Sequence, residues 1–210
     1  MHIDDNGPHP AAGRHLWPGR PQRRQRSLWW PVAAAAAVIG LALLLAATGC
    51  RRADFADLAD RTPLPATPVD MDTAAKPLAA IFNLGMAHYA TGDWPAAADQ
   101  LGRADRMLQA DPRSGPADQP LFAPFVRMYQ GVALLQGGQV AEARAVFDAL
   151  ADPAVARPLR ERGLWYGAQC RLLQGEPDGA LDLLAELGGS PVYAELARDQ
   201  AEAVSRRLGR

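Results

Sequence analysis

Residues 81–104 read IFNLGMAHYATGDWPAAADQLGRA, and the order of small, turn-forming and large residues in this stretch predicts a helix hairpin. Gly92 suits the left-handed backbone that ends a helix, because a residue without Cβ adopts positive φ freely. Asp93 can accept from the first amides of the next helix, and Pro95 fits a first turn where no N–H is needed. Gly85 before the turn and Ala97 after it are small enough to let two antiparallel helices touch. Trp94, Leu101 and Ala104 then fill the seam.

The same order recurs twice downstream. Gly131, Ala133, Gly137-Gly138, Ala143, Phe147 and Leu150 form a second copy, and residues 164–187, LWYGAQCRLLQGEPDGALDLLAEL, form a third. In the third copy Ala168 and Cys170 take the first-helix positions, Gly175 the turn, and Ala180, Leu184 and Leu187 the second helix. Corresponding alanines lie 46 residues apart (Ala97 to Ala143) and 37 apart (Ala143 to Ala180). The excess falls between copies, in the turn-rich stretches DPRSGPADQP at 111–120 and ADPAVARP at 151–158. Pro191 then opens PVYAELARDQAEAVSRRL, a solvent-rich helix with Val192, Leu196 and Val204 along one side, the capping helix that an open stack requires. Each segment carries apolar residues at i, i+3, i+4 and i+7, and none alternates as a strand would.

These copies resemble the tetratricopeptide repeat, in which Leu84, Gly85, Ala87, Tyr89, Gly92, Asp93, Trp94, Ala97, Leu101 and Ala104 all stand where the motif wants them. The second copy departs from it at Arg127 and Gln130, where the first helix usually carries Trp and Leu, so that turn is expected to be exposed or shifted. The resemblance covers residues 78–208 and implies an all-α fold: a short α-solenoid of three helix hairpins and a capping helix, seven helices in all. Repeats of this family hold a partner's helix or extended segment in a groove lined by their first helices. Carried over, the groove positions are Phe82, Met86 and Tyr89, then Phe125, Met128 and Val132, then Trp165, Gln169 and Leu172. That lining is apolar and aromatic, with only Asn83 and Arg162 as polar exceptions, so the expected ligand is an amphipathic helix or an apolar peptide rather than an acidic tail. The competing reading makes the same nine side chains core, covered by the capping helix or a neighbouring repeat.

Upstream the chain changes character. Residues 1–52 carry seven Arg against two Asp, whereas residues 53–210 carry fifteen basic against twenty-one acidic residues, which leaves a net charge of −1 over 210 residues. A mildly acidic domain without a basic stripe is not expected to bind nucleic acid. From Leu28 to Gly49 runs LWWPVAAAAAVIGLALLLAATG, 22 residues without charge, long enough to span a bilayer. Trp29 and Trp30 stand at its start, at headgroup depth. Five Arg between residues 14 and 26 precede it, so the positive-inside bias keeps the basic segment 1–27 cytoplasmic and exports the chain beyond residue 50. The run ends Leu45-Ala46-Ala47-Thr48-Gly49-Cys50, which resembles a bacterial lipoprotein cleavage box and would make Cys50 the lipidated residue. Ala47 departs from the Leu usual three residues before that Cys, and the leader is long. Residues 28–50 are therefore read as a transmembrane anchor or a lipoprotein signal.

Residues 51–76, RRADFADLADRTPLPATPVDMDTAAK, hold three Pro, five Asp and three Thr with little apolar periodicity, and read as an extended linker ahead of a repeat domain at 77–210. A second reading makes DFADLAD a short docking helix, with Phe55 and Leu58 at i and i+3.

Few residues point to chemistry. His2, His9 and His15 lie in the basic preamble, and His88 has neither an HExxH context nor a paired carboxylate. Cys170 fills a small helix-contact position, and a further role, an enzyme accessory, would use Cys50 and Cys170 as a redox pair. The glycine pairs at 137–138 and 188–189 lack the contexts that cradle phosphate. The chain is expected to be no enzyme and to need no metal or cofactor. Its expected role is a membrane-anchored protein-interaction scaffold on the periplasmic or other extracytoplasmic side of a cell envelope. The alternative role is a fixed structural subunit of one membrane, secretion or pilus-type complex.

Overall fold

The computed structural model describes residues 55–117 and 121–210, so the anchor at 28–50, Cys50 and the basic preamble lie outside the described residues. Seven α-helices pack against one another, each on the next in sequence, and no strand is present among the described residues. They are α1 (Lys76–Thr91), α2 (Trp94–Ala110), α3 (Phe122–Gln136), α4 (Val140–Leu150), α5 (Arg157–Leu173), α6 (Pro177–Glu186) and α7 (Ala194–Leu208). Helix α3 also meets α5 directly, so alternate helices share a face. No helix among the described residues is long and apolar enough to cross a membrane.

One turn is built three times. Gly92, Gly138 and Gly175 have φ of 76°, 80° and 70°, and the next amide after each bonds back five residues. Asp93 N donates to His88 O, Gln139 N to Leu134 O and Glu176 N to Arg171 O, at 2.9, 2.9 and 2.8 Å. This closure satisfies carbonyls that a helix C-terminus otherwise leaves open, and it turns the chain back on itself within two or three residues. Asp93 Oδ1 accepts from Ala96 N at 3.4 Å at the start of α2.

Small residues stand where paired helices cross. Ala97, Ala143, Ala168 and Ala180 are fully buried. A Cβ on Gly85 would come 3.0 Å from Leu101 Cγ, and one on Gly131 only 2.8 Å from the Phe147 ring, so the side chain from one helix occupies the hollow that glycine leaves in the other. Between hairpins the obstacle is backbone rather than a side chain. A Cβ on Gly163 would meet the backbone of Leu150 and Ala151 at 2.8 Å.

Arg127 and Gln130, expected to be exposed or shifted, are half-buried and face α2. Arg127 Nε pairs with Asp105 Oδ1 at 2.7 Å, and Gln130 lies over Gly102, where a Cβ would approach its amide to 2.9 Å. Ile81 and Leu84 hold the corresponding positions on α1, where Ile81 is half-buried and Leu84 is 48% exposed, because among the described residues no α-helix precedes α1.

The C-terminal helix requires a correction. It starts at Ala194 rather than Pro191, and Val192 and Leu196 are 65% and 52% exposed, while Val204 is buried as expected. The Ser190 hydroxyl accepts from Val192 N and Tyr193 N at 3.2 and 3.0 Å, which makes a turn and stacks Tyr193 on Trp165 at 5.5 Å. Beyond that turn the helix faces Ala197, Ala201, Val204 and Leu208 inward.

Candidate functional site

The face shared by α1, α3, α5 and α7 is covered by residues 55–75 of the same chain. The standoff linker expected at 51–76 is thus extended but docked over its described part. Only Ala56–Leu58 form a short 3₁₀ turn, close to the docking element read in DFADLAD. Phe55 and Met71 are buried at the two ends of the segment, and Leu58, Leu64 and Val69 are half-buried along it. Composition alone missed this because the apolar residues are spaced irregularly, with neither helical nor strand period.

The segment is held by its carbonyls. Gln200 Nε2 on α7 donates to Leu58 O at 2.8 Å, and Gln136 Nε2 on α3 donates to Arg61 O. The Tyr166 hydroxyl on α5 donates to Thr62 O at 2.8 Å, and the Tyr89 hydroxyl on α1 donates to Leu64 O at 2.9 Å. Tyr129 on α3 donates to Pro65 O at 2.8 Å, with the Thr67 hydroxyl 2.9 Å away. One amide is matched in the other sense: Asp60 N donates to Gln169 Oε1 at 2.9 Å. Pro63, Pro65 and Pro68 have no N–H, so a segment rich in them brings acceptors and few donors, and the helices answer with hydroxyls and amides. Burial pushes the Tyr89 and Tyr166 phenols far above their ordinary value, which keeps both hydroxyls protonated as donors. At one end Arg207 on α7 pairs with Asp57, Nη2 to Oδ2 at 2.9 Å.

All nine groove positions lie on α1, α3 and α5. Phe82, Tyr89, Met128, Val132, Trp165, Gln169 and Leu172 are buried, while Met86 and Phe125 are half-buried. Phe82 meets the Phe122 ring edge-on at 5.0 Å, Tyr89 meets Tyr129 at 5.0 Å, and Phe125 meets Tyr129 at 4.8 Å. Gln169 is the polar centre. It is fully buried, and its amide donates to Trp165 O at 3.1 Å and pairs with the Gln200 amide at 2.9 Å. The apolar and aromatic lining expected from the sequence therefore holds a row of hydrogen-bond donors, of which Tyr89 and Gln169 belong to the sequence-derived set and Tyr129, Gln136, Tyr166 and Gln200 do not. Tyr129 and Tyr166 stand 37 residues apart at corresponding positions of the second and third copies, a signal that the sequence carries. Nothing in the sequence marks Gln200.

The residues considered for chemistry lie apart from this row. His88 Nδ1 sits 3.1 Å from Asp93 Oδ2 beside the first turn. Cys170 is fully buried, and burial pushes its thiol up to about 12, so the reactive thiolate is strongly disfavoured. Among the described residues no group of three His, Cys, Asp or Glu could hold a metal ion. Comparison with known protein families, with curated proteins and with solved structures finds no match.

Proposed function

We propose that this chain is a membrane-anchored interaction scaffold of a cell envelope: a short tetratricopeptide-like solenoid, tethered through residues 28–50 and displayed on the extracytoplasmic side. The three repeated glycine turns and the buried small residues at the helix crossings support the repeat reading. The observation that carries the function is the groove itself, where side chains of four helices hold an extended peptide backbone by its carbonyls. A surface with that capacity recognises peptide main chain, and neither a nucleophile nor a paired acid and base takes part in it. The anchor rests on the uncharged 22-residue run and the Arg-rich flank before it.

A photo-crosslinking residue in place of half-buried Met86 tests the reading in full-length protein within its native membrane. The expected result is a cross-link to a second envelope protein, together with digestion of the helical domain by protease added outside the membrane. Cross-links confined to the chain itself, or a domain reached only from the cytoplasm, overturn it. The occupied groove favours a second reading, a fixed subunit of one complex. One stoichiometric partner after purification marks the subunit, and several substoichiometric partners mark the scaffold.

A further inference from the structure

The segment at 58–67 is held as a groove holds a ligand. Pro63, Pro65 and Pro68 face solvent, Leu58 and Leu64 are only half-buried, and apart from the Tyr129–Thr67 hydroxyl pair the fixing contacts go from side chains of the helices to main-chain atoms of the segment. Such contacts are indifferent to most side chains of the bound strand. Beside Leu64, Pro65 and Thr67 lies a cavity of about 200 Å³, lined on the helix side by Phe125, Met128, Tyr129 and Arg162. The helices complete their own backbone hydrogen bonds without the segment, and buried Gln169 keeps Trp165 O and Gln200 as partners when Asp60 leaves.

The donors on this face also select what can replace the segment. A helix arrives with its carbonyls already bonded within itself, and would leave buried hydroxyls and amides unmatched. An extended strand offers free carbonyls, but each of its free N–H groups needs an acceptor, and among the contacts described the groove supplies one, Gln169 Oε1. A proline-bearing strand has fewer N–H groups and is already extended, so it loses less freedom on binding. From this we infer that the groove across α1, α3, α5 and α7 is an exchangeable peptide site. Residues 58–67 are its resident occupant, and its partner is an extended, proline-bearing segment of another protein with an aliphatic side chain at the Leu64 position. The inference deepens the scaffold reading and rests on it.

In the intact chain the resident segment competes at an effective concentration of order millimolar, so exchange is best read once that linkage is cut. A protease site inserted at the exposed turn between Asp72 and Thr73 of the full chain in detergent allows this. The probe is a fluorescent peptide of residues 57–69, DLADRTPLPATPV, read by anisotropy on the cleaved protein. Saturable binding with release of the 1–72 fragment is expected. Tyr166→Phe should weaken it about fivefold, the loss of one hydrogen bond, and Tyr129→Phe, which loses contacts to both Pro65 O and Thr67, at least about fivefold, with the helical signal unchanged. If the fragment stays bound through excess peptide while the helices remain folded, the segment is a permanent wall and the inference falls. The scaffold reading then still stands or falls by the Met86 cross-link. Equal binding of the same peptide with Pro63, Pro65 and Pro68 all replaced by Ala overturns the inference as well.

Discussion

Residues 55–75 and residues 76–208 lie against each other, yet they are ordered by different physics. In the helices each backbone amide finds its partner four residues away, and burial of a periodic apolar stripe sets the packing. Between the short turns at its two ends the docked segment closes no backbone hydrogen bond of its own, because three of its residues are proline and its chain is extended. Its carbonyls at 58, 62, 64 and 65 are satisfied by side chains 25 to 142 residues away in sequence. A stretch with linker composition thus becomes ordered when a neighbouring surface supplies what it lacks.

The hairpin half of this contrast breaks first under overpacking. Ala97→Trp should cost at least about 3 kcal/mol, since Ala97 is fully buried where α1 and α2 cross, and thermal unfolding measures it. An unchanged midpoint would mean that small residues do not set these crossings. Gly163→Ala is a gentler form of the same test. The added methyl meets the backbone of Leu150 and Ala151 rather than a side chain able to swing away, and about 2 kcal/mol is expected from denaturant titration.

The segment half breaks differently. Tyr166→Phe removes the donor to Thr62 O and should cost about 1 kcal/mol of docking, seen as faster proteolysis between residues 58 and 67. The helices should stay equally resistant. If they loosened in parallel, the two regions would be one cooperative unit and the contrast would be false. Asp57→Asn should have the smallest effect, because the Asp57–Arg207 pair is exposed and such pairs contribute little. The Arg207 guanidinium holds the Asp57 carboxyl below its usual range, so the contribution is complete above the ordinary aspartate value, about pH 4, and fades as pH falls through the lowered value. Proteolysis at pH 7 and pH 3 should therefore differ more for the unmodified chain than for Asp57→Asn.

The hairpins were legible because their signals are local. Gly92, Asp93 and Pro95 specify a turn and a helix start from neighbouring residues, and the 46- and 37-residue spacings repeat that pattern where the structure repeats the turn. The nine groove residues were legible as a face, since helical periodicity puts Phe82, Met86 and Tyr89 on one side of α1. The cover over that face was not. Leu58, Leu64 and Val69 follow no period, and a proline-rich carbonyl looks the same in sequence whether water or a tyrosine hydroxyl donates to it. The inward side of α7 was misread for a related reason: Val192 and Leu196 are more hydrophobic than Ala197 and Ala201, but the Ser190 turn and the Trp165–Tyr193 stack fix which side faces the domain. Sequence by itself determined the helices, their turns and the small residues at their crossings, because those depend on contacts within one hairpin. Only the tertiary structure decided where residues 55–75 lie and which hydroxyls and amides meet them, because those partners come together only once four helices stand side by side.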